Sequence, residues 1–449
     1  MLRFWNIVSS EGFQPSHSRA GCPRYVFLSI AAVLILCGLV SAAESKFPPP
    51  EFETGHEFPQ TTTPQAREGV FGYIDSLVLL GTLGFATYLV FKKRSRKVVF
   101  GLTIFSLLYF GFYREGCICP IGAIQNVTMS FFDSLYAIPI VVLVFFLLPL
   151  IFTLFFGRTF CSSVCPLGAI QEMVLLRPVS IPQWLESGLR IFAYLYLGLA
   201  ILFAATGSAF VICRYDPFVA FFRLSGNANI LIFGACFLII GIFIGRPYCR
   251  FLCPLGVIFR NLSRISKWRV TITPDECIKC RLCEQSCPYG AIKKPTEQWP
   301  KENYIKSKRL LPLLLVLLPV LIFLGGWAGS NLKNKLAQMH PTVRLAERVR
   351  LEETGKVEGT TDASDAFRTT GVENAELYEQ ASVIRKNLGT GGLILGCFIG
   401  LVIGIKLIAV SVWRERTGYE ADRASCFACG RCFEYCPIEH KRRNERKRG

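Results

Sequence analysis

Two stretches decide how this chain is built: Cys277-Ile-Lys-Cys280-Arg-Leu-Cys283-Glu-Gln-Ser-Cys287-Pro288 and, near the other end, Cys426-Phe-Ala-Cys429-Gly-Arg-Cys432-Phe-Glu-Tyr-Cys436-Pro437. Each has the C-x2-C-x2-C-x3-C-P spacing of bacterial ferredoxins, in which three thiolates hold one iron–sulfur cube and the fourth reaches to the other cube. The expected ligand sets are therefore crossed: Cys277, Cys280 and Cys283 with Cys436, and Cys426, Cys429 and Cys432 with Cys287. A structural zinc site favours two separated C-x2-C pairs and gives no reason for the trailing proline. Disulfide frameworks belong to small secreted domains, not to a 449-residue apolar chain. The spacing thus implies two [4Fe–4S] clusters and, with them, electron transfer.

Working outward, the chain is 51% hydrophobic and only 18% charged, more apolar and less charged than ordinary soluble domains. The apolar residues come in blocks near the length a bilayer requires: Tyr73–Phe91, Val98–Tyr113, Phe131–Phe156, Leu189–Ile212, Ile230–Ile244, Leu310–Trp327 and Gly391–Trp413. The second and fifth are short enough to be partly re-entrant. An earlier block, Tyr25–Ala43, follows Arg3, Arg19 and Arg24 and ends in Ser41-Ala42-Ala43, the pattern of a secretory signal peptide or an uncleaved anchor. The Pro- and Thr-rich residues after it read as a short external linker.

The net charge of +18 raises the question of nucleic acid, but its distribution follows the membrane. Basic stretches run over Lys92–Lys97, Arg246–Arg309 and Arg414–Arg448, whereas Gly329–Thr390 holds nine Lys and Arg against nine Asp and Glu. Cytoplasmic loops collect Lys and Arg, so the basic stretches are expected inside and the balanced loop outside. Counting seven crossings from an external linker gives the same topology. Both ferredoxin runs then lie on the cytoplasmic face of a bacterial inner membrane, with an even number of spans between them.

A second repeat runs through the apolar part: Cys119-Pro-Ile-Gly-Ala-Ile-Gln125, Cys165-Pro-Leu-Gly-Ala-Ile-Gln171 and Cys253-Pro-Leu-Gly-Val-Ile-Phe259. Self-similarity of this kind marks a reused structural unit. Proline stops a helix and glycine permits a turn, so each unit is expected to end a span and start a short helix, its sulfurs held at the break. Cys161 with Cys165 and Cys249 with Cys253 form C-x3-C-P pairs on the inner side. Cys117, Cys119 and Cys213, the last within Cys213-Arg-Tyr-Asp-Pro-Phe, fall outside. Two readings stay open for these seven: disulfide or structural thiols, or a further redox or metal centre. The second has a physical motive, because a hydrocarbon core of about 30 Å is too wide for one efficient electron hop. Haem does not supply the relay, since there is no C-x-x-C-H and His17, His56, His340 and His440 all lie outside the spans. Cys236 and Cys397 read as ordinary apolar residues, and Cys22 and Cys37 belong to the leader.

These motifs together resemble the NosR/NirI/NapH-type membrane polyferredoxins over roughly residues 100–440. The resemblance rests on the paired C-x3-C-P units, Arg214-Tyr-Asp-Pro-Phe218, the two ferredoxin runs, His340-Pro-Thr-Val-Arg-Leu-Ala-Glu347, and Tyr419 leading into Cys426. It implies a membrane core passing electrons between the quinol pool or a cytoplasmic donor and an external reductase or flavoprotein. Longer relatives carry an external FMN domain with an attachment threonine in a Ser-Gly-Ala-Thr-like context. This sequence has no such context, which points to a separate external flavoprotein or reductase partner. The Cys117-Ile-Cys119 spacing departs from the C-x3-C-P pattern.

The expected fold is thus a polytopic α-helical membrane protein of about seven spans after an N-terminal signal or anchor, with a split bacterial-type two-[4Fe–4S] ferredoxin module. Its expected divisions are the signal or anchor (1–44), the linker (45–69), a transmembrane core carrying the C-x3-C-P motifs (70–270) and the first ferredoxin half (271–296). A linker (297–309), a transmembrane helix (310–327), an external loop domain (328–390), a transmembrane helix (391–413) and the second ferredoxin half with its basic tail (414–449) follow. No catalytic side chain is assigned. Beside the electron-conduit reading stand a quinol dehydrogenase and a redox-sensing or maturation protein for an external respiratory enzyme.

Overall fold

The computed structural model describes residues 69–116, 120–223, 228–272, 277–296, 301–411, 416 and 418–448. The expected leader and linker, and Cys22, Cys37, Cys117 and Cys119, lie outside the described residues. Among the described residues the regular structure is helical apart from one two-stranded ladder. Its first part contains α1 (Gly69–Tyr88), α2 (Arg96–Ser106), α3 (Pro120–Phe132), α4 (Ile140–Phe156), α5 (Thr159–Ser163), α6 (Pro166–Met173) and α7 (Gln183–Ala205). It continues through α8 (Val211–Tyr215), α9 (Val219–Arg223), α10 (Ala228–Phe243), α11 (Pro247–Phe251), α12 (Pro254–Arg264), α13 (Leu282–Gln285) and β1 (Ile292–Lys293). The last part holds α14 (Lys301–Asn331), α15 (Lys333–Ala337), α16 (Pro341–Glu353), α17 (Asp362–Thr369), α18 (Asn374–Ser411), β2 (Glu420–Ala421), α19 (Arg431–Glu434) and α20 (Pro437–Arg448).

Among the described residues five helices are long and apolar enough to cross a bilayer: Gly69–Lys93, Arg96–Tyr113, Gln183–Ala205, Leu310–Asn331 and Asn374–Ala409. Two of the expected spans correspond to the shorter apolar helices Ile140–Phe156 and Ala228–Phe243. The third block divides because Pro139 fixes an extended turn ahead of Ile140, leaving α3 as a separate helix. The fourth ends early at Ala205, where Thr206 and Gly207 break the helix before α8. The balanced loop is itself helical, built from α15, α16, α17 and the start of α18, and it packs through Val343, Ala346 and Val349 against Leu377, Ala381 and Leu388.

The prolines of the repeat do what their chemistry dictates. Pro166 and Pro254 occupy the first turns of α6 and α12, where a missing N–H costs nothing, directly after Cys165 and Cys253. The thiols are thereby held where one helix has stopped and the next begins.

α14 and α18 form a hairpin of very close approach. A methyl group added at Gly396 would lie 2.0 Å from the Gly325 carbonyl oxygen, and one at Gly329 would lie 2.0 Å from that of Gly392. Gly325-x3-Gly329 therefore faces Gly392-x3-Gly396-x3-Gly400, the small-residue packing that lets helices touch backbone to backbone in lipid. On its other side α14 leaves Leu313, Val316 and Phe323 exposed, as a lipid-facing surface requires. This hairpin separates the two ferredoxin runs in sequence and returns the chain to them.

Candidate iron–sulfur sites

The ferredoxin halves meet through β1 and β2, which pair antiparallel with Ile292 opposite Ala421 and Lys293 opposite Glu420. Asp422 N donates to Ala291 O at 2.7 Å beside this ladder. The two cysteine loops follow the same backbone path. Lys279 and Arg281 in the first, and Ala428 and Gly430 in the second, all have positive φ (52°, 65°, 54° and 77°). Only Gly430 adopts this conformation without a steric cost, so the other three hold strain of about 1–3 kcal/mol each. Left-handed residues of this kind turn backbone N–H groups inward to make an anion-binding concavity, and Ala428 N donates to Cys426 Sγ at 3.4 Å.

Cys277, Cys280 and Cys283 line one cavity with Cys436, walled by Ile272, Tyr419 and Pro437. Cys287 leaves its own run and sits within electrostatic reach of Cys426, Cys429 and Cys432. Burial pushes the Cys283 thiol up to about 11 and that of Cys426 up to about 12. These groups are protonated at neutral pH and must release protons when they bind a cation.

A third group forms in the helical core. Cys161, Cys165, Cys249 and Cys253 line one cavity with Phe160, Ile121 and Phe259. Cys253 caps α12, its Sγ accepting from Gly256 N at 3.3 Å. Gln171 Nε2 donates to Cys249 Sγ at 3.3 Å, and Arg158 Nη2 reaches Cys161 Sγ at 3.9 Å. Burial pushes Cys249 up to about 11, against the opposing pull of Arg246. Among the described residues no three His, Cys, Asp or Glu side chains are gathered as ligands of a single ion, a gathering that tetrahedral zinc would require at sulfur separations of about 3.8 Å.

Side chains that the motifs do not announce tie this core to the ferredoxin module. Arg158, 1% exposed, lays its guanidinium 4.0 Å from the Phe427 ring centroid and donates to Ala424 O at 3.3 Å. It lines both the core cavity and a second one at Cys426. The Phe427 and Tyr289 rings lie 4.8 Å apart, with Arg246 over both. Beneath them Glu172 receives Arg96 at 2.6 Å, Arg431 at 2.8 Å, Arg246 at 3.1 Å and the Tyr289 hydroxyl. Burial alone would raise the Glu172 carboxyl, but Arg246, Arg96 and Arg431 outweigh it and hold the group well below the usual carboxylate range. These partners are far apart in sequence and follow no spacing rule, so no motif exposes them.

Cys213 lies elsewhere, exposed on the rim of a cavity of ≈ 200 Å³ that it lines with Gly122, Asn126, Asp216 and Arg223. Cys236 is buried in α10, and Cys397 faces Gly326 in the α14–α18 hairpin, as expected of packing residues. His340 caps α16 by accepting Thr342 N on Nδ1 at 3.2 Å.

Two family models match the chain, each described as a 4Fe-4S binding domain. One covers residues 138–182 and 227–273 and so contains both C-x3-C-P pairs; the other covers residues 270–293, the first ferredoxin run. YccM of Escherichia coli, named provisionally as an electron transport protein, is 32% identical over 122 residues, 25% of this chain and 34% of YccM. The protein NirI of Paracoccus denitrificans is 31% identical over 122 residues, 26% of this chain and 18% of NirI. An uncharacterised protein of Methanocaldococcus jannaschii, MJ0750, is 29% identical over 202 residues, 44% of this chain and 84% of its own length. The chain thus spans about a third of YccM and under a fifth of NirI. No solved structure matches it.

Proposed function

We propose that this chain, which resembles NirI and YccM over part of its length, is a membrane 4Fe–4S protein of the NirI/NosR type and conducts electrons through a ferredoxin module docked on a thiol-lined transmembrane core. The observation that carries the reading is Arg158, whose side chain walls both the core cavity and the one at Cys426. A structural thiol group would need no such contact with the ferredoxin loops.

On this reading Cys277, Cys280, Cys283 and Cys436 hold the outlying cluster, Cys426, Cys429, Cys432 and Cys287 the cluster nearer the core, and Cys161, Cys165, Cys249 and Cys253 a third centre. Bound iron–sulfur groups supply one-electron carriers at these three places. The residues between them set the path. Phe427 and Tyr289 fill the gap and exclude water, while Arg158 and Arg246 place positive charge beside thiolates on both sides. Glu172 offsets that charge and fixes three guanidiniums in one arrangement.

The basic stretches support a cytoplasmic position for the ferredoxin face. A quinol or cytoplasmic donor and an external flavoprotein or reductase are the partners proposed for the two ends. Stopped-flow reduction of anaerobically purified protein tests the conduit. Electrons given to the ferredoxin module should reach a centre that Cys249→Ser abolishes. If that variant reduces with unchanged phases and amplitude, the core carries no electrons.

A further inference from the structure

A cavity of ≈ 290 Å³ opens beside the ferredoxin ladder. Arg264 at the end of α12, Arg269 in the loop after it, Lys293 on β1, Arg416 beyond α18 and Arg423 after β2 all line it, against two carboxylates. Among the described residues no ion pair joins any of the five cations to a carboxylate. Like charges brought from five places in the sequence into one concavity repel one another, whereas a merely solvated basic face keeps them apart. The volume is far above the ~15 Å³ at which a cavity first holds a water molecule, so an oxyanion has room. Backbone contacts hold the wall in place. Arg423 Nη1 donates to Arg264 O at 3.3 Å, and Arg416 N donates to Thr296 Oγ1 at 2.8 Å while its carbonyl accepts Thr296 N at 3.0 Å.

The loop on one side of the cavity carries the marks of a bilayer surface. It closes on the end of the apolar helix α4, where Lys267 N donates to Leu154 O at 3.3 Å and Trp268 N to Phe155 O at 2.8 Å. The Trp268 ring stacks on Phe156 with centroids 5.1 Å apart, and Lys267 Nζ lies 4.9 Å from the Trp268 ring. Trp268 is nevertheless 47% exposed, and Ile265, beside Arg264, is 69% exposed. Exposed apolar side chains flanked by Arg264, Lys267 and Arg269 suit headgroup level, with the ring toward hydrocarbon and the cations toward phosphate. Arg416 marks the same height independently, a few residues beyond the last turn of the long apolar helix α18.

We propose that this cavity binds the phosphate headgroup of an anionic phospholipid from the leaflet on the ferredoxin side, its acyl chains lying along Ile265 and Trp268. Guanidiniums take a phosphate in paired hydrogen bonds, and each basic side chain near a bilayer adds to the attraction for anionic lipid. The bound headgroup also acts on the redox path. Arg269 and Arg423 line the cavity at Cys426 as well, together with Arg158. A phosphate drawing on them cancels positive charge beside that thiolate and lowers the potential of the centre it holds. This second consequence rests on the reading of Cys426 as a cluster ligand; the lipid site itself does not.

The test uses the full chain, purified anaerobically and placed in nanodiscs of phosphatidylcholine alone or mixed with phosphatidylglycerol. Phosphatidylglycerol kept by each chain after release into detergent is counted by native mass spectrometry. Arg264→Gln/Arg423→Gln is compared with the unaltered protein and with Lys92→Gln/Lys93→Gln, which removes equal charge from exposed side chains after the first span. The unaltered protein and the lysine variant should keep phosphatidylglycerol in preference to phosphatidylcholine, and the cavity variant should keep on the order of tenfold less. The midpoint potential of the signal that Cys429→Ser abolishes should be lower in the phosphatidylglycerol discs, by a larger shift in the unaltered protein than in the cavity variant. Equal retention by the two variants overturns the proposal, since the lipid would then answer to the charge of the face and not to the cavity. Equally tight binding of inorganic phosphate to the lipid-free protein overturns it too, by making the ligand a soluble anion. If the cavity variant keeps its lipid but is reduced more slowly by an acidic ferredoxin, the cavity docks a protein carrier and the proposal falls. Absence of the Cys429-dependent signal from the unaltered protein would sink the cluster reading alone, and lipid retention would still decide the site.

Discussion

Arg158 lies over the ring of Phe427, its guanidinium carbon 4.0 Å from the ring centroid, while its Nη2 reaches 3.9 Å from Cys161 Sγ. One side chain of the helical core thus touches both the second ferredoxin loop and a core thiol. A buried cation there favours the reduced, more negative state of whatever the thiolates hold.

Arg158→Leu should therefore lower the midpoint potentials of the two flanking centres by on the order of 60 mV, a tenfold change in a one-electron equilibrium. Arg158→Lys keeps the charge but loses the planar stacking on Phe427, and should shift them less. Redox titration followed by EPR distinguishes the two; equal, negligible shifts in both variants would remove Arg158 from the path.

The crossed ligation proposed for the ferredoxin runs makes a second expectation. Cys287→Ser should perturb the centre held by Cys426, Cys429 and Cys432, and Cys436→Ser the one held by Cys277, Cys280 and Cys283. EPR of each variant decides it. A Cys287→Ser change confined to the signal that Cys280→Ser abolishes means uncrossed ligation.

Glu172 anchors three guanidiniums, so Glu172→Gln leaves buried positive charge uncompensated and should destabilise the protein by about 3–5 kcal/mol. Because the carboxyl is held below its ordinary value of 4.5, its contribution is fully present above about pH 4.5 and is lost as pH falls further. Thermal unfolding of the two proteins should show a constant gap from pH 8 to pH 5, narrowing only below that. A gap that closes already between pH 7 and pH 5 contradicts the network.

The glycine face of α18 permits no side chain. Gly396→Ala already sets a methyl 2.0 Å from the Gly325 carbonyl oxygen and should force α14 and α18 apart at a cost of about 3 kcal/mol, and Gly396→Leu should cost more. Because the hairpin carries the chain from β1 to β2, the larger substitution should also lower the iron retained by the ferredoxin module. Retention of full iron and stability in Gly396→Leu would mean that the helices are not in backbone contact.

Much of this was legible in the sequence because cluster ligation imposes spacing. Eight ferredoxin cysteines, the apolar blocks and the charge asymmetry are all local patterns, and the C-x3-C-P repeat marked the four core thiols that line one cavity. Arg158 and Glu172 were not legible, since a buried ion network is chosen by three-dimensional proximity among Arg96, Arg246, Tyr289 and Arg431, which share no period. The span edges moved for simpler reasons: Asp133 and Ser134 follow the end of α3, Pro139 sets the start of α4, and Gly207 follows the end of α7.

The central claim is that the core thiols hold iron. Iron and acid-labile sulfide counted per chain in anaerobically purified protein, beside Cys165→Ser and Cys253→Ser, test it most directly. The account predicts more iron than two cubanes supply, with a defined increment lost in each variant while the ferredoxin signals persist. Iron for two cubanes only, unchanged by either substitution, would contradict it.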